Sequence, residues 1–120
     1  MSISNYFETA LLDVVRGVNP TVSGTYIQLH TGDPTEDGTG SVAGESTRQS
    51  ASWSAASGDS IATSGTVTWV DVSTSETLSH WSLWDAVSGG NCLWYGSLSG
   101  TASVAAGDTF QVTNLTLSLD

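Results

Sequence analysis

Lysine is missing from this chain, and the only other strong cations are Arg16 and Arg48. Against these two stand twelve acidic residues, giving a formal net charge of −10 over 120 residues. Nucleic acid is held by cations that displace condensed counterions, so this balance excludes it as a partner. Anionic membrane surfaces are excluded by the same want of basic residues. No apolar run approaches the roughly 20 residues of a spanning helix, and no charged-then-apolar leader is read at the N-terminus. Cysteine occurs once, at Cys92, which cannot close an internal disulfide. The expectation is a chain assembled in a cytosol and held by packing alone.

What the chain has instead is small and β-prone. Ser and Thr make up about 30 per cent of it, far above ordinary usage, and charged residues only 12%. Thr, Val and Trp in alternating runs favour pleated, half-buried strands, and a hydrophobic content of 38% is too high for disorder. The length fits one domain, residues 1–120, with a helix over 5–16 and a β-sandwich over 25–120.

In the helix, Asn5 and Glu8 have the spacing of a capping box. Ile3, Phe7, Leu11, Val14 or Val15, and Val18 recur at helical intervals, and Gly17 supplies a stop before Asn19-Pro20. From Thr25 the period becomes two, with Tyr26, Gln28 and His30 on one side of a strand and Ile27 and Leu29 on the other. Gly32 to Ser41 is a polar, turn-rich loop. Strands are expected from Thr47 to Trp53, around Ile61, and from Gly65 to Val70, the last covered on both faces. Phe110 and Val112 lie on even positions but Leu115, Leu117 and Leu119 on odd ones, which calls for a β-bulge near Thr113-Asn114.

The densest apolar feature is an aromatic hairpin over 78–98, turning at Ser88-Gly89-Gly90-Asn91. Strict alternation sets Trp81, Leu83 and Asp85 on one face and Leu78, His80, Ser82 and Trp84 on the other, with Cys92 and Trp94 opposed to Leu93 and Tyr95. Two apolar faces exceed one monomer core, so one aromatic set is expected to meet a neighbouring subunit. Six or seven short strands with Gly-rich turns then make an all-β, two-sheet antiparallel sandwich, jelly-roll-like or immunoglobulin-like, with one short N-terminal helix.

Candidate chemistry is sparse. Gly58-Asp59-Ser60 reads as a turn rather than an esterase block, and Gly96-Ser97-Leu98-Ser99-Gly100 has Leu98 where a nucleophile elbow needs serine. No enzyme is expected, no cofactor and no metal. The weak cation candidates are Asp33, Asp37 and Glu45, which follow the first half of a calcium loop but miss its closing glutamate by one position. His30, His80 and Cys92 lack zinc-ligand spacing. Trp84, Trp94 and Tyr95 are the candidate stacking platform for a host glycan. The candidate interface residues are Ile3, Phe7, Leu11, Trp81, Trp84, Trp94 and Tyr95.

Five blocks occur in a fixed order: Leu29-His30-Thr31-Gly32-Asp33-Pro34, Arg48-Gln49, Leu83-Trp84-Asp85-Ala86 with Gly89-Gly90-Asn91, Tyr95-Gly96-Ser97-Leu98, and Ala106-Gly107-Asp108-Thr109. In these the chain resembles a group of small tailed-bacteriophage virion proteins, labelled head-decoration or tail-fibre proteins, and the likeness runs over nearly its whole length. The resemblance implies a virion structural protein on the particle's exterior, assembled in the host cytoplasm. Its expected partners are itself, as a homotrimer, and the major capsid protein or tail proteins. A capsid decoration or cement protein is the first expectation, since the chain has no shaft or coiled-coil stretch. A tail-fibre or tail-spike subunit touching the host is the alternative, and a carbohydrate-binding module is third.

Overall fold

The computed structural model describes residues 2–119; Met1 and Asp120, the ends of the expected domain, lie outside the described residues. Nine strands and one α-helix follow in the order β1 (Ser2–Ile3), α1 (Asn5–Asp13), β2 (Tyr26–His30), β3 (Gln49–Ser50), β4 (Ser60–Ala62), β5 (Val67–Trp69), β6 (Glu76–Trp84), β7 (Cys92–Val104), β8 (Phe110–Val112) and β9 (Thr116–Ser118). All pairings are antiparallel, as expected of the all-β sandwich. One layer is a five-stranded sheet in the order β1-β7-β6-β2-β3. The second layer is a two-stranded ribbon together with α1, and the core lies between them.

The helix begins one residue earlier than a capping box at Asn5 would place it. Ser4 is the cap: its hydroxyl oxygen accepts from the Phe7 amide at 3.2 Å and its hydroxyl hydrogen goes to the Cys92 carbonyl. Ser4 holds this role because it still runs beside the sheet, with extended backbone and its amide N–H donating to the Leu93 carbonyl at 2.9 Å. Asn5 is already helical. The helix tightens into a 3-10 turn over Val14–Arg16 and ends at Gly17, whose φ of +88° terminates it as a left-handed C-cap.

The hairpin β6–β7 is the spine of the sheet, and it departs from strict alternation twice. Leu83 pairs with Trp94 but Trp84 pairs with Cys92, so β7 carries one extra residue there. Leu93 and Trp94 consequently both enter the core, while Cys92 turns to the opposite face beside Trp84. A second irregularity falls between Leu78 and His80, opposite the longer stretch Ser97 to Ala102. It brings Leu78 into the same core as Trp81 and Leu83. The alternation read from sequence had separated Leu78 from Trp81, and Leu93 from Trp94; the two irregularities reunite each pair.

The ribbon solves the parity problem of the C-terminal segment differently from a bulge within one strand. β5 pairs with β8 and β4 with β9, so residues 60–69 run against 110–118 as one interrupted ladder. From Ala62 to Val67 is five steps, while from Val112 to Thr116 is four. The mismatch is absorbed at Asn114, which takes a φ of +56°, a conformation asparagine adopts more readily than most side chains. Val112 and Leu117 therefore both face inward despite opposite parity. The expected strand from Thr47 to Trp53 is regular only at Gln49–Ser50. The strand at Val67–Trp69 is covered on one face: Val67 and Trp69 are buried, but Val70 is exposed.

Candidate functional site

Both faces of the five-stranded sheet are closed by the chain itself, and the closure centres on Trp84. On the core side lie Ile27, Leu29, Trp81, Leu83, Leu93 and Trp94. On the other side, β2 contributes Gln28 and His30, and β6 contributes Ser82 and Trp84, all buried. The loop from Gly32 to Ser41 folds over this second face. Gly38, at φ +74°, lies so close that a Cβ there would stand 2.7 Å from Trp84 Cζ2 and 2.8 Å from Cys92 Sγ.

Polar groups buried under the loop form one directed chain. The Gly40 carbonyl can only accept, so His30 Nδ1, 2.8 Å away, carries the hydrogen. Neutral His30 then accepts at Nε2 from the Ser82 hydroxyl at 2.7 Å, and Ser82 Oγ accepts the Trp84 indole hydrogen at 2.7 Å. Burial lowers the His30 pKa below its ordinary value, opposing the backbone bond to Gly40. A proton on Nε2 would also remove the acceptor that Ser82 uses. His80 is the cross-strand neighbour of His30 and binds the Ser79 hydroxyl at 2.8 Å.

One of the two arginines completes the enclosure. The Arg48 guanidinium lies 3.9 Å from the centroid of the Trp84 ring. Its Nη1 donates to the Ala86 carbonyl at 2.8 Å and the Gly89 carbonyl at 2.7 Å, and its Nε donates to Gln28 Oε1 at 3.2 Å. Asp85 accepts from the Asn91 amide at 2.7 Å and from its side chain at 3.1 Å. The hairpin turn is thus pinned to the sheet from two sides. A planar fork over an aromatic face is a task for arginine rather than lysine.

The acidic residues are mostly engaged with backbone or hydroxyl donors. Asp37 Oδ1 accepts from the hydroxyls of Thr39 and Thr35 and from the Thr39 amide, which lowers its pKa to about 2. Glu76 accepts from the Gly44 and Glu45 amides at 2.8 and 3.0 Å, and Glu45 from the Ser73 and Thr47 amides at 3.0 and 3.3 Å. These two carboxylates staple the segment after the loop to the approach of β6.

A family model described as Podophage GP4 fiber I protein gp80 matches residues 2–120. The chain belongs to the podophage fiber I gp80 family. Membership makes it a structural component of a phage virion. No curated protein matches it in sequence.

Three of the five resemblance blocks find their meaning in this gp80-family fold: His30, Gly32 to Pro34, Arg48, Trp84 to Ala86 and Gly89 to Asn91 converge on one enclosure. The expectation of an open aromatic face is corrected here. Trp81, Trp84 and Trp94 are 2%, 7% and 6% exposed: Trp81 and Trp94 lie in the core, and the loop and Arg48 cover Trp84 on the face that alternation left bare. Nor do Trp84, Trp94 and Tyr95 form one stacking platform. Trp94 faces the core, edge-on to Phe7 at 5.8 Å between centroids; Trp84 lies on the opposite face, and Tyr95 donates to Glu36 at 2.8 Å. Ile3 and Phe7 pack inward against the core, and Leu11 is half-buried.

The cation candidates do not converge. Asp33 and Asp37 bond within the loop, Asp33 to the Thr35 amide at 2.9 Å, while Glu45 turns to Ser73 and Thr47. Among the described residues, no three His, Cys, Asp or Glu side chains gather as metal ligands. Arg48, Ser82 and Glu76 are the residues that reading the sequence for sites missed. The signal for Arg48 was its scarcity, since a buried aromatic in a chain nearly free of cations has few partners to draw on.

Proposed function

We propose that this chain is a tail-fibre subunit on the exterior of the virion, assembled as a homo-oligomer and acting by binding rather than catalysis. The observation that carries the reading is the match over residues 2–120 to a family described as a podophage fiber protein. That description moves the balance from a head-decoration protein, the first expectation from sequence, to the fibre alternative. The extents of 48 × 26 × 24 Å suit an elongated appendage, and a charge of −10 favours standing clear of packaged DNA. A non-catalytic role is supported by the chemistry of the enclosure. His30 is committed at both ring nitrogens, and burial, aided by Asp37, pushes the Cys92 thiol up to about 12, far from a nucleophile's range.

Quantitative mass spectrometry of purified particles, with immunogold labelling, tests this. The expected result is a low copy number set by the tail's symmetry, with label confined to the tail. A copy number on the scale of the capsid lattice, with label over the head, would replace the fibre reading with the decoration one.

A further inference from the structure

Six of the ten large hydrophobic side chains exposed among the described residues lie within one stretch of 17: Tyr6, Leu12, Val14, Val15, Val18 and Val22. The other four are scattered singly over the surface. α1 has no buried residue; it rests on the core through Phe7 and leaves its outer side bare, with Leu12 at 72% exposure and Val15, in the 3-10 turn that follows, at 89%. A short, marginal helix gains nothing from displaying aliphatics to water. We infer that α1 and the turn after it form a self-association surface, on which a second copy of this chain seats its own helix.

Charge identifies the occupant. The stretch from Tyr6 to Val22 contains three charged side chains: Glu8, and the pair Asp13 and Arg16, which cancel and bridge each other at 2.9 Å. All but one unit of the net charge of −10 therefore resides outside this stretch. Two copies this acidic repel over most approaches, and the helix region, with Glu8 as its uncompensated charge, is where they meet with least repulsion. A strongly basic partner would instead select the acidic remainder of the surface.

Shape points the same way. A groove of about 440 Å³ runs beside the helix, lined by Tyr6, Thr9, Ala10, Asp13, Val18 and Pro20. At roughly 100° per residue, Leu12 projects about a third of a turn away from the Tyr6-Ala10-Asp13 stripe. Knob and groove on different sides of one helix let each copy seat its knob in a neighbour's groove, reciprocally across a two-fold axis or head to tail in a closed ring.

The inference rests on the chain being a repeated virion subunit, and its test is separable from that reading. The protein is measured by sedimentation velocity and light scattering as wild type, Leu12→Glu, Val15→Glu and, as an exposed control on the ribbon, Val70→Glu. The expected result is a closed oligomer for wild type and Val70→Glu. Association should weaken at least about tenfold for the two helix variants, with circular dichroism and melting of the monomer unchanged. A wild-type monomer overturns the proposal and leaves the face to a different virion protein. So does an oligomer indifferent to both helix substitutions, which would place the seam elsewhere. Neither outcome alters the copy number that decides between fibre and decoration.

Discussion

Replacing Arg48 with alanine removes a cation stacked on Trp84 and three hydrogen bonds at 2.7–3.2 Å. A charged hydrogen bond is worth about 1.5–3 kcal/mol where water is excluded. Gly89 is exposed and Ala86 half-buried, so their carbonyls regain water and each bond counts for about 1 kcal/mol. The stacked cation adds about 0.5–2 kcal/mol, and freeing the side chain returns about 1–2 kcal/mol of entropy. The net expectation is a loss of about 2–3 kcal/mol, or on the order of 10 °C in melting temperature for a domain of this size. Arg48→Lys should recover less than half, because an ammonium cannot span both carbonyls and stay over the ring. Thermal melts followed by tryptophan fluorescence measure the loss, and hydrogen exchange at the Asn91 amide reports whether the turn has come loose. Melting within about 2 °C of wild type for Arg48→Ala would refute the argument that this residue closes the second face.

Three further outcomes follow from the same enclosure. Gly38→Ala combines a left-handed residue with contact against Trp84 and Cys92 and should cost roughly 2–4 kcal/mol; Gly58→Ala, at φ +62° in open space, should cost only about 1–2 kcal/mol, and equal losses in urea titrations would sink the packing argument. His30 has a folded pKa below its ordinary 6.5, so its contribution is full above pH 6.5 and is lost as pH falls toward the folded value. Melting temperature should therefore drop between pH 7.5 and pH 5, and a flat profile there would count against the tautomer drawn for His30. Asp37, lowered to about 2, contributes its own loss only in stronger acid. Cys92 should resist thiol reagents at pH 8 in the native protein and react on unfolding; rapid native labelling would contradict its burial.

Much of the fold was legible because it follows local period. The helix over 5–16, the alternation at Tyr26 to His30, and the hairpin with its Gly89-Gly90 turn all follow from spacing within a few residues. What escaped depends on partners far along the chain. The extra residue that turns Leu93 and Trp94 together is visible only once Trp84 is matched to Cys92 across the hairpin. The closure over Trp84 needs Gly38 and Arg48, 46 and 36 positions away. Counting faces by alternation showed two apolar sides of one strand, but not that a polar loop would cover one of them. The site expectations failed at that step: the aromatics assigned to an interface are interior, and the exposed apolar side chains gather instead on the outer side of α1.

The ribbon made by residues 60–69 and 110–118 has a consequence in time. Its ladder joins Val67 to Val112 and Ser60 to Ser118, residues far apart in the chain, whereas β6 and β7 meet across a short turn. Closing a short turn takes microseconds, and long-range pairing is intrinsically slow. The hairpin is therefore expected to form early, and the ribbon to shut last across a core already half assembled. Until it does, Trp81 and its neighbours face water on a nascent chain that carries no lysine beside them. During synthesis of many copies at once, that interval is when this protein is most exposed to aggregation.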